Sequence, residues 1–452
     1  MIYLLILTTL IFLILNFLLA KKDYMHPAVI FHGMFLLYEL MCLLGEEAYA
    51  VTLHVGSLSV ISLGFCAMTT ANLISHDVGK RKELCISELK AIKVPRIYLI
   101  ALIIMQVVSI LYFCKYLGNL STAYYGTSDS TMSESIELYD TLTKFLRDEY
   151  NELAVPIPMA YRITNPLCAG AEYIVLYIMV NNFLVKKKVD PLMIMILGLM
   201  CIRIIMNGSR SPLLRIFTFI FLLLYVLSMK SGRIRRGDMK FFRKLIIAAF
   251  GFVALMFMVL IIMGRTTRFT GIVDHLFVYF GAPIVNLDTF IESYRVKLLA
   301  PLERGALIGA QTFKNLYFYL YKLFKIRGFS DIEEIELFAF SSNNREIGNV
   351  YTMFYKIIYD FGFLGVVPLT LIMGIYYCET YRKIMSEKSD KIIDLRLLIY
   401  AYLFNDIVMS AFSNRFYETI FDAPFIKFII VVILLDIFPV EMRFRHEKTR
   451  SK

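Results

Sequence analysis

Several arginines stand where their chemistry could converge. Arg203, Arg210 and Arg215 surround the segment NGSRSPLL, Arg265 and Arg268 lie in GRTTR, Arg345 in NNREIGN and Arg415 in SNRFYE. A guanidinium is a planar fork of N–H donors that grips phosphate oxygens two at a time, so such residues gathered from separate stretches would suit a pyrophosphate carried on a lipid. Arg210 sits on the turn between two apolar runs, where Asn207 and Gly208 end one helix and Pro212 begins the next. Arg203 and Arg215, taken alone, read equally well as lipid-headgroup anchors. The expected anion-binding set is therefore Arg210, Arg265, Arg268, Arg345 and Arg415.

A hydroxyl attacking beside such a diphosphate needs a base. Asp274, His275, Asp288, Glu292, Glu346, Asp360 and Glu418 are the candidates at that level. Glu418 and Glu346 rank first, because each lies within a turn of an arginine that would keep it charged and oriented. The expected catalytic residues are Arg210, Glu418, Glu346 and His275. Asp406 and Lys427 fall at similar depth if the last two spans run antiparallel, and an isolated charge there is costly, so they are expected to form a structural ion pair.

Other chemistry is disfavoured. The cysteines (Cys42, Cys66, Cys85, Cys114, Cys168, Cys201, Cys378) and the six histidines are scattered without ligand spacing, so neither metal nor cofactor is expected. Asp360-Phe361-Gly362 spells a kinase magnesium motif, but no Gly-rich loop or catalytic loop accompanies it. Gly362 and Gly365 read instead as sites of close helix approach.

The elements that must carry these residues are membrane helices. The chain is 58% apolar, with runs too long for a soluble core. Runs at 1–20, 26–45, 50–74, 97–117, 166–185, 190–207, 211–229, 245–264, 361–378, 397–413 and 419–438 predict an all-α bundle of about eleven spans, each about 20 residues long. The net charge of +11 would raise nucleic acid as a partner in a soluble protein. Here the basic residues gather in alternate connections, at Lys21 and Lys22, Lys80 to Lys82, Lys186 to Lys188, Arg233 to Arg236, Arg382 and Lys383, and Arg443 and Arg445. That alternation is the positive-inside signature, and it places the N-terminus outside and the C-terminus in the cytoplasm. One membrane domain, 1–452, is expected. Two long connections fall outside: 118–165, with an acidic amphipathic helix, and 265–360, a folded cap over the site. Within the cap, His275 to Tyr294, interrupted by Gly281 and Pro283, reads as a re-entrant or interfacial helix pair, and Asn349 to Asp360 as an amphipathic helix.

From about residue 190 onward, NGSRSPLL, YFGAPIVNLDTF and GNVYTMFYKIIYDFGFLGVVPLTLIMG together resemble the Wzy-type oligosaccharide repeat-unit polymerases of bacterial O-antigen and capsule synthesis. The resemblance implies a metal-independent glycosyltransferase, multi-pass in the bacterial cytoplasmic (inner) membrane. It would transfer a glycan from an undecaprenyl-pyrophosphate-linked oligosaccharide to a sugar hydroxyl of an incoming unit, with membrane lipid and a polysaccharide chain-length regulator as its partners. Arg210 matches the family's arginine after a small-residue turn, and Asn349, Asp360 and Gly362 match its other signature; Arg265 and Arg415 match approximately. A lipid-linked oligosaccharide flippase and an O-antigen ligase are the alternatives. A flippase would carry its charges along a central cavity with short outer loops, and a ligase would share the donor and differ in the acceptor.

Overall fold

The computed structural model describes residues 1–77, 84–144, 146–208, 211–262, 272–294, 307–324, 335, 339–388 and 392–437. Helix follows helix. Three apolar helices, α1 (Ile2–Leu19), α2 (Pro27–Leu44) and α3 (Val55–Asp77), precede α4 (Arg96–Tyr125). The first long connection folds as α5 (Met132–Lys144) and α6 (Arg147–Glu152). Then come α7 (Met159–Lys186), α8 (Pro191–Met206), α9 (Ser211–Lys230) and α10 (Met239–Ile262). The second connection carries α11 (Ile272–Leu276), α12 (Ala282–Tyr294), α13 (Lys314–Phe324), a short antiparallel hairpin of β1 (Ala339–Phe340) and β2 (Glu346–Gly348), and α14 (Phe354–Phe361). The chain ends in α15 (Val366–Ser386), α16 (Leu395–Val408), α17 (Arg415–Ile420) and α18 (Ala423–Ile437).

Among the described residues, seven helices are long and apolar enough to cross a membrane: α1, α2, α3, α4, α7, α9 and the helix spanning Phe363–Ser386. The remaining expected spans coincide with α8, α10, α16 and α18. Lipid is the solvent that fits their outer faces. On α1, Tyr3, Leu7, Ile11, Ile14 and Leu18 form a stripe that is more than half exposed, while Leu5, Thr9 and Asn16 of the same helix are buried. Among the described residues, the main apolar cluster of the interior gathers Phe31, Phe65, Phe219, Tyr377 and their neighbours, and smaller clusters lie around Tyr49 and Phe277 and around Tyr116 and Leu142. Its helices approach closely where a side chain is missing, as at Gly374 of α15, where an added Cβ would stand 2.7 Å from that of Ala71 on α3.

The contacts sort the connections into two ends, alternating along the chain. At one end Asp23 accepts from Tyr225 and Tyr381, Lys230 Nζ donates to the carbonyls of Ile384 and Glu387, and Arg233 donates to the Leu184 carbonyl. At the other, Tyr49 meets Asp274, His54 meets Asp288, Tyr161 meets Asn207 and Lys356 meets Glu418.

Several boundaries differ from those the runs suggested. α4 continues past 117 to Tyr125, stopping where Gly126 adopts a left-handed φ of 73°. α16 stops at Val408, and the expected 419–438 span divides at Asp422 into α17 and α18, with Pro424 in the first turn of α18. The segment around 275–294 is not a broken pair. α11 and α12 are joined through a π turn, Phe277–Gly281, and this widening just ahead of Pro283 absorbs the proline's missing donor. Residues 349–353 are irregular and the helix begins only at Phe354. Gly362 serves a turn, with φ 70° after α14, whereas Gly365, at the N-cap of α15, makes room for Phe361 and Ile357 of α14 and so lets these two consecutive helices approach closely.

Candidate functional site

A cavity of about 440 Å³ lies where α7, α8 and α9 meet α16, α17 and the start of α18. Arg203, Arg215 and Arg415 all line it, with Glu172, Glu418, Asp422, Tyr402 and Asn315. Three separate stretches thus deliver guanidiniums to one space.

Each guanidinium is held by its outer nitrogens. Arg203 of α8 grips Glu172 of α7, Nη2 reaching Oε2 at 2.6 Å and Oε1 at 2.8 Å, while Nη1 donates to Asn165 Oδ1 at 2.6 Å. Gln106 of α4 donates to the same carboxylate at 2.6 Å. An acid so deep in an apolar helix is tolerable only when its lone pairs are filled, and here they are. Arg215 of α9 lies over the Tyr402 ring with its carbon 4.6 Å from the centroid, donates to Tyr402 Oη at 2.9 Å, and reaches Asp406 Oδ1 at 3.2 Å and Thr419 Oγ1 at 3.3 Å. Arg415 opens α17 and stands 3.6 Å from Glu418 Oε2, across one turn. The Nε atoms of Arg203, Arg215 and Arg415 are all buried without a hydrogen-bond partner, so each arginine keeps a donor unspent.

The two carboxylates on the α17 side differ in character. Lys356 of α14 donates to Glu418 Oε1 at 2.6 Å. Burial alone would raise the Glu418 carboxyl, but Lys356 and then Arg415 outweigh it and hold the group below its usual range. Burial pushes the Asp422 carboxyl up, and the Ala423 N–H and Arg215 offset this only in part. Glu418 is therefore a fixed anion, whereas Asp422 holds a proton more readily.

Arg415 and Glu418 are the expected site residues found in this cavity. Arg210, Arg265 and Arg268 lie outside the described residues, although Asn207 and Ser211, on either side of the Arg210 turn, both line the cavity. Arg345, Glu346 and His275 belong to another cluster at the same end. Arg345 stands over the Tyr49 ring at 5.5 Å, Glu346 is exposed on β2, and His275 is buried next to Asp274, which accepts from Tyr49. None of the three lines the cavity. Asp288 is occupied by the His54 N–H, His54 Nδ1 and Ser57 Oγ, and Asp360 by the N–H groups of Gln311 and Thr312, so both hold connections in place. The expected Asp406–Lys427 pair does not form: Arg215 takes Asp406, and Lys427 is exposed on the outer face of α18. The physical reason is α9, which packs against α16 and brings Arg215 to Asp406.

Reading by level also passed over Glu172, Lys356 and Asp422. The signal for Glu172 was available, since an acid inside an apolar run demands a partner and Arg203 is the cation at matching depth in the very next helix. In comparison with known proteins, the chain matches no protein family, no curated protein and no solved structure.

Proposed function

We propose that this multi-pass protein joins oligosaccharide repeat units carried on undecaprenyl pyrophosphate, at the outer face of the bacterial cytoplasmic membrane. The observation that carries this reading is the gathering of Arg203, Arg215 and Arg415 on one cavity, each with an unspent buried donor. The opposite end of the bundle holds Lys21, Lys22, Lys186 to Lys188, Arg233, Arg235 and Arg236, and by the positive-inside rule this supports a cytoplasmic placing of that end and an outward-facing cavity. Its volume suits a diphosphate with an adjoining sugar.

In this reaction the bond between the donor's anomeric carbon and the phosphate oxygen breaks, and its electron pair leaves on the lipid pyrophosphate. The guanidiniums, already fixed by Glu172, Asp406 and Glu418, stabilise that charge without reorganising. The acceptor hydroxyl oxygen forms the new bond to the anomeric carbon and passes its proton to a base, for which Asp422 is better suited than Glu418. Glu418 orients Arg415.

In cells carrying Arg415→Ala at normal protein level, long glycan chains should fall about 100-fold or more, as for loss of a preorganised donor. Undiminished long chains would refute the role. A null strain should accumulate single repeat units on outward-facing lipid. Carriers trapped inside would assign a flippase instead, and finished polymer left on its lipid would assign a ligase.

A further inference from the structure

A second cavity, about 100 Å³ in volume, opens at the other end of the bundle, between the α1–α2 and α9–α10 connections, the end of α3 and α15. That is several times the ~10–15 Å³ that a single water needs. Its floor is polar. Asn72 lines it and donates to Asn16 Oδ1 at 2.9 Å, and Asn16 donates in turn to Thr69 Oγ1 at 2.8 Å. Ser75, only 5% exposed, also lines the cavity, and its Oγ has no hydrogen-bond partner. A buried hydroxyl left bare beside open space points to something that fills it.

The charges around this space are unevenly committed. Asp23, on the wall, accepts from Tyr225 at 2.7 Å, from Tyr381 at 2.9 Å and from the Met25 N–H at 3.1 Å. Arg236 comes no nearer to it than 3.9 Å, through its Nε, which has no hydrogen-bond partner. Arg382 is closed off by Glu379, at 2.9 and 2.6 Å. With Lys21 also on the wall, the lysine and the two arginines against Asp23 and Glu379 leave one positive charge over. Leu19, Leu84 and Met385 complete the lining with apolar surface at the level where α1 ends.

We propose that this cavity binds the phosphate of a singly charged anion, held by Arg236 Nε, Ser75 Oγ and Lys21 Nζ. The apolar wall beside it fits the acyl-chain carbons of an anionic membrane lipid whose phosphodiester takes the polar groups. This site lies at the opposite end from the proposed reaction and does not depend on that reading.

The test is native mass spectrometry of the full chain in detergent, titrated with phosphatidylglycerol, phosphatidylcholine or inorganic phosphate. Phosphatidylglycerol should bind at least about tenfold more tightly than phosphatidylcholine, and Lys21→Gln with Arg236→Gln should weaken it about tenfold or more, as for the loss of two charge-assisted contacts. Ser75→Ala, a small change that should leave the fold intact, should weaken it roughly threefold. Lys188→Gln, an exposed cation at the same end, should change nothing. Thermal midpoints without lipid check that each variant is folded. Inorganic phosphate binding with the same dependence on Arg236 and Ser75, and displacing the lipid, would keep the phosphate site and assign it to the free ion. Equal affinity in wild type, Ser75→Ala and the double variant, or equal loss in Lys188→Gln, would overturn the proposal.

Discussion

At the scale of the residue, the Arg215–Asp406 pair is the sharpest test of how the cavity is built. Asp406 is 1% exposed and its partner sits on another helix. Asp406→Asn leaves a buried guanidinium without its counter-charge, which should cost about 3–5 kcal/mol in reversible unfolding from detergent. Lys427→Met, at an exposed position, should move stability by no more than about 0.5 kcal/mol. Equal losses from the two would return the pairing to Lys427. Asp422 yields a pH prediction. Its carboxyl is raised by burial from the usual 3.8, and the base form is the one above that raised value. Polymerisation rate should therefore fall on the acid side at a pH above the ordinary aspartate value, and Asp422→Asn should lower the rate about 100-fold or more and abolish that limb. An unchanged acid limb in Asp422→Asn would leave the base elsewhere. The sequence makes the residue types of this site visible, and the surplus of arginines at one level is legible without coordinates. What it hides is pairing. Lys356 with Glu418 joins α14 to α17, far apart in the chain, and Arg203 with Glu172 joins consecutive helices at a depth that no local periodicity encodes.

At the scale of the element, the turn before Arg210 turns on one glycine. Gly208 closes α8 with a left-handed φ of 68°, and an added Cβ would stand 2.6 Å from the Asp140 Cβ of α5. The conformation alone disfavours alanine by about 1–2 kcal/mol, and the contact adds to it. Gly208→Ala should lower the thermal midpoint and shorten the glycan together, because it displaces the Arg210 turn as well as α5; a stable variant with normal chain length would separate the turn from the site. The helix positions themselves were legible as apolar runs, because lipid demands an uninterrupted length. Their ends were not, where polar segments stay helical by packing on protein, as α4 does beneath α5. The break at Asp422-Ala423-Pro424 was an exception. Aspartate followed by proline near the first turn is a helix start written in the sequence, and the apolar run around it masks the signal.

At the scale of the whole molecule, everything proposed about the site depends on which end faces out. Alternation of connections between two ends follows from the contacts, but the sign of the orientation rests on charge: the end with Lys21, Lys186 to Lys188 and Arg233 to Arg236 should be the one retained in the cytoplasm. Asp129, exposed in the connection after α4, and Lys188, exposed after α7, lie at opposite ends, separated by the length of α7. In a background with its native cysteines replaced, Asp129→Cys should react with a membrane-impermeant maleimide in intact cells, whereas Lys188→Cys should react only after permeabilisation. The reverse pattern would turn the arginine cavity to the cytoplasm, where a lipid-linked unit is built rather than polymerised. The cavity's geometry would survive that result unchanged, and the proposed reaction would not, because its acceptor would then lie across the membrane from the guanidiniums.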